Sequence, residues 1–400
     1  MDLKSGSLFW PRIWRSRSGH GPLRQDVRCD VAIIGAGLSG AMVAHALSRE
    51  GLDVVVLDKR EVAQGSTSAS TALVLYEIDV PLIELAKQRG RAVAVKSYRR
   101  CLDAIVELED LVRHLGGQCG FRRRHSLYLA SQPADLSELK KEFEARKRAG
   151  FDVSFLSQAQ VEKWFSFSAP GAIYSANAAE VDPFRLTRLL MNESVRLGAR
   201  VFTRTESANV TETRSGALIR TATGHRIEAR WVVVAAGFET AAHAARRVVK
   251  LKSSYALVTQ TVSAFPGWHQ RCLIWETKRP YLYLRTTADN RIMVGGEDED
   301  FVDARKRDRL IKKKCAVLSH KVQKLFPDIP VQPACCWAGT FGETKDGLPY
   351  VGALKSNSKI LYALCYGANR TNFAVIAADI IRDSILQRRN PHARLFEFGR

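Results

Sequence analysis

The chain contains no C-x-x-C pair and no His/Cys cluster at zinc spacing, which excludes zinc ribbons, dithiol redox motifs and a structural metal centre. Its eight cysteines (29, 101, 119, 272, 315, 335, 336 and 365) are scattered, several of them in apolar stretches where a free thiol packs as a small hydrophobe. That usage fits a reducing compartment, and the cytoplasm is the expected location. No uncharged apolar run is long enough to cross a bilayer, and Met1 to Arg28 lacks the continuous apolar centre of a secretory signal. This first segment is rich in Arg and Ser and poor in acids, a composition that transit peptides share. It is expected to form a short ordered arm over 1–28, with a targeting role left open. None of the nine histidines stands in a motif, so no Ser/His/Asp triad is indicated. The absence of internal repeats and low-complexity linkers excludes solenoids and tethered modules.

What remains is globular: 400 residues, 46% apolar and 26% charged, enough for two intertwined lobes. Lys and Arg number 61 against 41 Asp and Glu, a net charge of +20. Such a surplus attracts nucleic acid, anionic membranes or acidic substrates. The basic residues, however, fall in short groups such as Arg122 to Arg124 and Lys312 to Lys314, without interleaved aromatics or a polybasic tail. A solvated surface therefore ranks ahead of a nucleic-acid footprint.

Asp30-Val-Ala-Ile-Ile is an apolar run of strand length, followed by Gly35-Ala-Gly37-Leu38-Ser39-Gly40, an Ala-rich helical stretch to Glu50, and a second buried strand ending at Asp58-Lys59. Residues 91–115 carry apolar side chains at spacings of three and four, one face of a long helix stopped by Gly116-Gly117. A hairpin-like stretch near 125–130, a polar helix near 133–148 and a strand near 171–175 come next. Asp182-Pro183 then opens another helix. Beyond Lys250 the pattern becomes alternating strands plus one helix, whose stripe is Ile311, Cys315, Leu318, Val322 and Leu325. A strand at 360–365 and an apolar helix over about 371–386 complete the chain. The fold class is α/β: a Rossmann-like domain with a second, mostly antiparallel lobe.

A G-x-G-x-x-G that follows a strand, opens a helix and is answered by an acid at the end of the next strand predicts a dinucleotide site. Gly35 allows the tight turn, Gly37 lets the backbone approach a pyrophosphate, and Gly40 lets helix and strand pack closely. The helix N-terminus supplies N–H groups and partial positive charge, and Asp58 would take ribose hydroxyls. This motif alone does not choose between NAD and FAD.

Beside the fingerprint stand Gly65-Ser66-Thr67-Ser-Ala-Ser70-Thr71 after the second strand, Val-Val-Val-Ala-Ala-Gly237, Asp346-Gly-Leu-Pro-Tyr-Val-Gly352 and the terminal helix. In that order the set resembles the D-amino acid oxidase superfamily of FAD-dependent oxidoreductases, with glycine oxidase and gamma-glutamylputrescine oxidase among its members, over nearly all of 29–388. The resemblance implies FAD as cofactor, with Ser66, Thr67, Ser70 and Thr71 around the pyrophosphate and flavin. It implies Val210 against the adenine and Gly237 closing over the dinucleotide. It also places Gly367, Asn369, Arg370 and Thr371 under the flavin ring, where the last helix's N-terminus and the Arg370 charge would ease reduction. The division it implies is an FAD-binding domain of 29–116, 171–249 and 338–390, with 117–170 and 250–337 as the substrate-binding lobe.

Glycine oxidase and its kin carry an Arg before the D-G-x-P motif that clamps the substrate carboxylate. The matching position here is Phe341, which favours an amine, a polyamine conjugate or an N-alkyl amino acid over a simple α-amino acid. The flavin-linking Cys of sarcosine oxidases is matched by Gly339, and no linking His occurs in 64–71, so the FAD is expected to be non-covalent. In Tyr281-Leu-Tyr283-Leu-Arg285, strict alternation puts Tyr281, Tyr283 and Arg285 on one face, either lining a substrate cavity or facing solvent. Together with Arg370 they are the candidate catalytic residues, and Trp275 and Trp337 are candidate cavity walls. The implied reaction takes a hydride from the carbon bearing nitrogen onto flavin N5, and the resulting imine hydrolyses. Oxygen, a quinone or an electron-transfer protein would then accept the electrons. Two alternatives keep the fold: oxidation of a modified tRNA base, which draws on the +20 charge, and a flavin-binding subunit of a heteromeric dehydrogenase.

Overall fold

The computed structural model describes residues 2–14, 19–242, 248–367 and 369–400. In chain order the strands are β1 Lys4–Gly6, β2 Val27–Ile34, β3 Val54–Leu57, β4 Leu73–Leu75, β5 Arg122–Leu129, β6 Val153–Ser157 and β7 Gly171–Glu180. They continue as β8 Arg200–Phe202, β9 Ser207–Glu212, β10 Ala217–Thr221, β11 Arg226–Val234, β12 Lys250–Thr259, β13 Leu273–Glu276 and β14 Tyr283–Thr286. Last come β15 Ile292–Glu299, β16 Pro333–Glu343, β17 Tyr350–Ala353 and β18 Ile360–Leu364. The helices are α1 Phe9–Ile13, α2 Leu38–Ser48, α3 Leu82–Arg89, α4 Arg91–His114, α5 Leu136–Arg148, α6 Gln158–Trp164, α7 Pro183–Arg196, α8 Ala304–Leu325 and α9 Arg370–Ile385.

Two sheets divide this material. One runs β17-β18-β11-β2-β3-β8, with β9 and β10 extending from β11, and its central pairs β18/β11/β2/β3/β8 are parallel. Its strands read as unbroken apolar runs because both faces are covered. Val31 and Ile33 face the core under α2 and α9, whereas Ala32 and Val55 face the β9–β10 side. Helix α9 is buried along nearly its whole length, and α7 starts on Asp182, whose carboxylate accepts from Phe184 N (3.0 Å) and Arg185 N (2.9 Å).

The other sheet orders β1-β16-β12-β15-β14-β13-β5-β7-β4, with β6 on β7, and is antiparallel except for the β13/β5 pair. Here the expected division differs from the strands: β4 and the ten-residue β7 join this sheet rather than the parallel one, and β16 runs unbroken across residue 338. Pairing decides it, since β7 is bonded to β4, β5 and β6. Residues 1 and 15–18 of the expected arm lie outside the described residues. The rest of 2–14 is woven into the second lobe: Lys4 pairs with Gly339, Phe9 and Trp10 are buried, and Trp10 Nε1 donates to Ser70 O at 2.7 Å. The cysteines also depart from the free-thiol expectation at one pair. The apolar stripe of α8 packs on β16, so Cys315 meets Cys336 and the two form a disulfide, while the other six stay free. Among the described residues no helix is long and apolar enough to cross a membrane.

Candidate active site

The C-terminal ends of β2, β3 and β11 open on a cleft of about 580 Å³. Gly35 holds φ +117°, and a Cβ there would lie 2.5 Å from Ala235 O. A Cβ on Gly40 would lie 1.8 Å from Gly35 O, so only glycine lets α2 start against the turn. Gly37, Leu38 and Ser39 present the helix N-terminus to the cleft. Thr67 Oγ1 accepts from Leu38 N at 3.1 Å, tying the 65–71 loop to that end. Asp58 accepts from Ala36 N and Arg60 N, both at 2.7 Å, and still borders the cleft. Burial pushes its carboxyl up, with those two N–H groups opposing the shift.

Lys59, Ser66, Ser70, Val210, Gly237 and Thr371 line the same cleft, as does Arg370 at the start of α9. Gly40 lies behind it. Gly367, at φ +89°, does not line this cleft, and its N–H donates to Gly342 O at 2.8 Å. The sequence reading missed Arg60 and Glu239, which form a bidentate pair at 3.1 and 3.0 Å across the cleft wall, with Lys59 2.9 Å from the same carboxylate. A buried, unpartnered Ser66 Oγ, a glycine cradle without Cβ atoms and an exposed helix N-terminus together fit an FAD pyrophosphate.

A second, narrower chamber adjoins the cleft and shares Leu3, Ser66, Ser70 and Arg370 with it. Tyr281, Tyr283, Thr71 and Asn369 line it, as do Trp275, Trp337 and Phe341. Tyr281 Oη donates to Asp79 Oδ1 at 3.0 Å. Asn369 Nδ2 donates to Leu75 O and Glu77 O at 2.6 and 2.7 Å, fixing the α9 entry against β4. Arg370 is half-buried and makes no ion pair among the described residues; its guanidinium lies 5.5 Å from the Phe238 ring. Burial pulls it below the usual arginine range, opposed by Tyr283, Tyr281 and Asp79.

Arg285 corrects the expectation of a three-residue polar face on the chamber. It alternates as predicted but reaches past the chamber's edge, its Nε donating to Thr71 O (2.7 Å) and Nη2 to Val181 O (3.0 Å), with Glu180 3.7 Å away. It is a strut holding the 65–71 loop to the β7–α7 junction. Three chamber acids went unnoticed in the sequence: Glu77, Asp79 and Asp298. Asp298 lies in the acidic run Glu297 to Asp300, which reads as a solvated face. A bulge, with Glu297 at φ +58° and a register shift against β12, breaks the alternation there.

A glycine-cradled dinucleotide cleft opening on a walled chamber beneath an antiparallel sheet defines a two-lobed flavin oxidoreductase. The chain belongs to the FAD dependent oxidoreductase (DAO) family, whose model matches residues 30–384. It is 25% identical to a glycine oxidase of Bacillus licheniformis, over 90% of this chain and 93% of that one. It is 24% identical to the gamma-glutamylputrescine oxidoreductase of Escherichia coli K12, over 90% and 84%. The crystal structure of glycine oxidase from Geobacillus kaustophilus superposes with a TM-score of 0.76 at 20% identity, covering 92% of this chain and 98% of that one.

Proposed function

We propose that this FAD-dependent oxidoreductase oxidises the C–N bond of an amine, a polyamine conjugate or an N-alkyl amino acid. One observation carries the reading: the second chamber is walled by three carboxylates, Glu77, Asp79 and Asp298, against one guanidinium, Arg370, and it is also lined by Phe341, the position that the family resemblance matches to the carboxylate clamp. Such a wall attracts a cationic nitrogen and offers a simple amino acid's carboxylate no fork. Of the relatives above, the gamma-glutamylputrescine oxidoreductase bears a name that suits this class.

The parallel-sheet lobe is the FAD-binding part and the antiparallel lobe the substrate-binding part. The fingerprint, Asp58, Lys59, the 65–71 loop, Val210 and Gly237 would hold FAD non-covalently, and Asn369, Arg370 and Thr371 would contact it where the cleft meets the second chamber, with Gly367 shaping the turn before them. FAD supplies a two-electron acceptor for hydride from the carbon bearing nitrogen. Tyr281, anchored on Asp79, and Tyr283 fix the orientation of the substrate, and Phe341, Trp275 and Trp337 exclude water around it. Arg370 and the α9 N-terminus stabilise negative charge arriving at the junction of the chambers. Water hydrolyses the imine product, and oxygen, a quinone or an electron-transfer protein accepts the electrons. Six free cysteines favour a cytoplasmic setting.

Anaerobic titration of the purified yellow protein tests the reading. Amines and polyamine conjugates are expected to bleach the visible flavin band at concentrations where glycine, proline and D-amino acids do not. Bleaching by the simple amino acids instead would overturn it.

A further inference from the structure

Among the described residues, three buried polar atoms on the chamber wall lack a hydrogen-bond partner: Glu77 Oε2, Trp275 Nε1 and Asp298 Oδ1. Native folds leave few such groups, and several on one cavity wall mark a place where a ligand completes the bonding. Glu77 is only 2% exposed, and its other oxygen is committed to Ser126 Oγ (2.6 Å) and lies 3.6 Å from Arg146. Asp79 is committed to Tyr281. Asp298 differs from both: it makes no ion pair among the described residues, and its buried Oδ1 has no hydrogen-bond partner there. Nearby Lys252 is engaged by Glu343 at 2.7 Å and Asp300 at 3.6 Å.

Resting on the amine reading above, we propose that Asp298 Oδ1 receives the substrate nitrogen, accepting a hydrogen bond from the ammonium and then its proton. An N–H bond breaks, an O–H bond forms on the carboxylate, and the nitrogen keeps the electron pair that C–N oxidation requires; the proton leaves to solvent with product. Glu77 Oε2 offers a further acceptor for the remaining N–H groups, and Trp275 Nε1 a donor to an oxygen elsewhere on the substrate.

The surroundings give Asp298 the character of a base. Burial pushes its carboxyl up to about 6, helped by Glu343 on β16 and Asp79 after β4, and opposed by Ser254 and Lys252 on β12. Tyr255 on β12, Tyr283 on β14 and Tyr281 just before β14 also lie in its field, each held in the neutral phenol form. Asp298 is therefore ionised and able to accept a proton above about pH 6, and it loses charge and basicity together as pH falls through that value.

The test uses the FAD-loaded full-length protein and the best-reducing amine of the anaerobic panel. In Asp298→Asn the ratio of reduction rate to dissociation constant should fall about 100-fold at pH 7. The deficit should shrink by at least about tenfold at pH 10, where roughly a third of an alkylamine is already neutral in solution. A deficit equal at both pH values, or none, overturns the proposal. Butyltrimethylammonium, a cation that cannot lose a proton, gives an independent readout through the flavin spectrum. Its binding to the wild type should tighten about tenfold from pH 5 to pH 7, and in Asp298→Asn it should not change with pH. Binding that is flat in the wild type overturns the proposal, even if the variant fails to load FAD. If no amine reduces the wild-type flavin, the amine reading fails, and this titration alone decides whether Asp298 receives the cation.

Discussion

The dinucleotide cleft and the chamber beside it are built on opposite terms. In the cleft most of the polar groups named above bond to one another before any ligand arrives: Asp58 holds two backbone amides, Thr67 covers Leu38 N, and Glu239 neutralises Lys59 and Arg60. The chamber wall instead keeps Glu77, Trp275 and Asp298 with unpartnered atoms. The cleft leaves only the hydroxyls of Ser66 and Thr240 buried without a partner among the described residues, and a cofactor site is served by such a largely pre-bonded cradle. A substrate chamber gains selectivity by leaving groups whose bonds only the right ligand completes, at the expense of stability without it.

This contrast breaks first at the cleft. Gly40→Ala drives a methyl to 1.8 Å from the Gly35 carbonyl, a backbone atom with nowhere to go. The expected result is purified protein with less than about a tenth of the wild-type flavin-to-protein absorbance ratio. Full flavin content would show that the turn is looser than the cradle requires. A smaller effect separates scaffold from chamber: Arg285→Met should lower unfolding stability by roughly 2–3 kcal/mol, read from denaturant midpoints. It removes charged hydrogen bonds to Thr71 and Val181 and leaves Glu180 with Arg124 alone. The order of amines that bleach the flavin should not change. A reordered panel would return Arg285 to the chamber.

The same contrast governs what the sequence made legible. The parallel sheet and its fingerprint are local: buried strands read as apolar runs, and Gly35, Gly37 and Gly40 are demanded by backbone geometry within six positions. The long helix over 91–115 appears as α4 for the same reason, a repeated spacing on one face. The chamber is assembled from Glu77, Trp275, Asp298, Phe341 and Arg370, which five separate segments bring together, so no spacing announces it. Phe341 was identified by a resemblance rather than by any pattern of its own. Tyr281 and Tyr283, which alternation puts on one face, both line the chamber, whereas Arg285 and Asp298 do not follow from period two. Arg285 is long enough to leave its face, and the bulge at Glu297 inserts a residue before Asp298. Domain limits failed through pairing: whether β7 joins the parallel or the antiparallel sheet is decided by partners up to about a hundred residues away, in β4 and β5.

A crystal structure of the FAD-loaded protein with butyltrimethylammonium tests the central claim most directly. The account predicts FAD along the Gly35–Gly40 cleft, its ring ending at Arg370, and the quaternary nitrogen in the second chamber facing Asp298. FAD extending through the second chamber, or the cation bound away from Asp298 with that carboxylate turned to a protein partner, would contradict it.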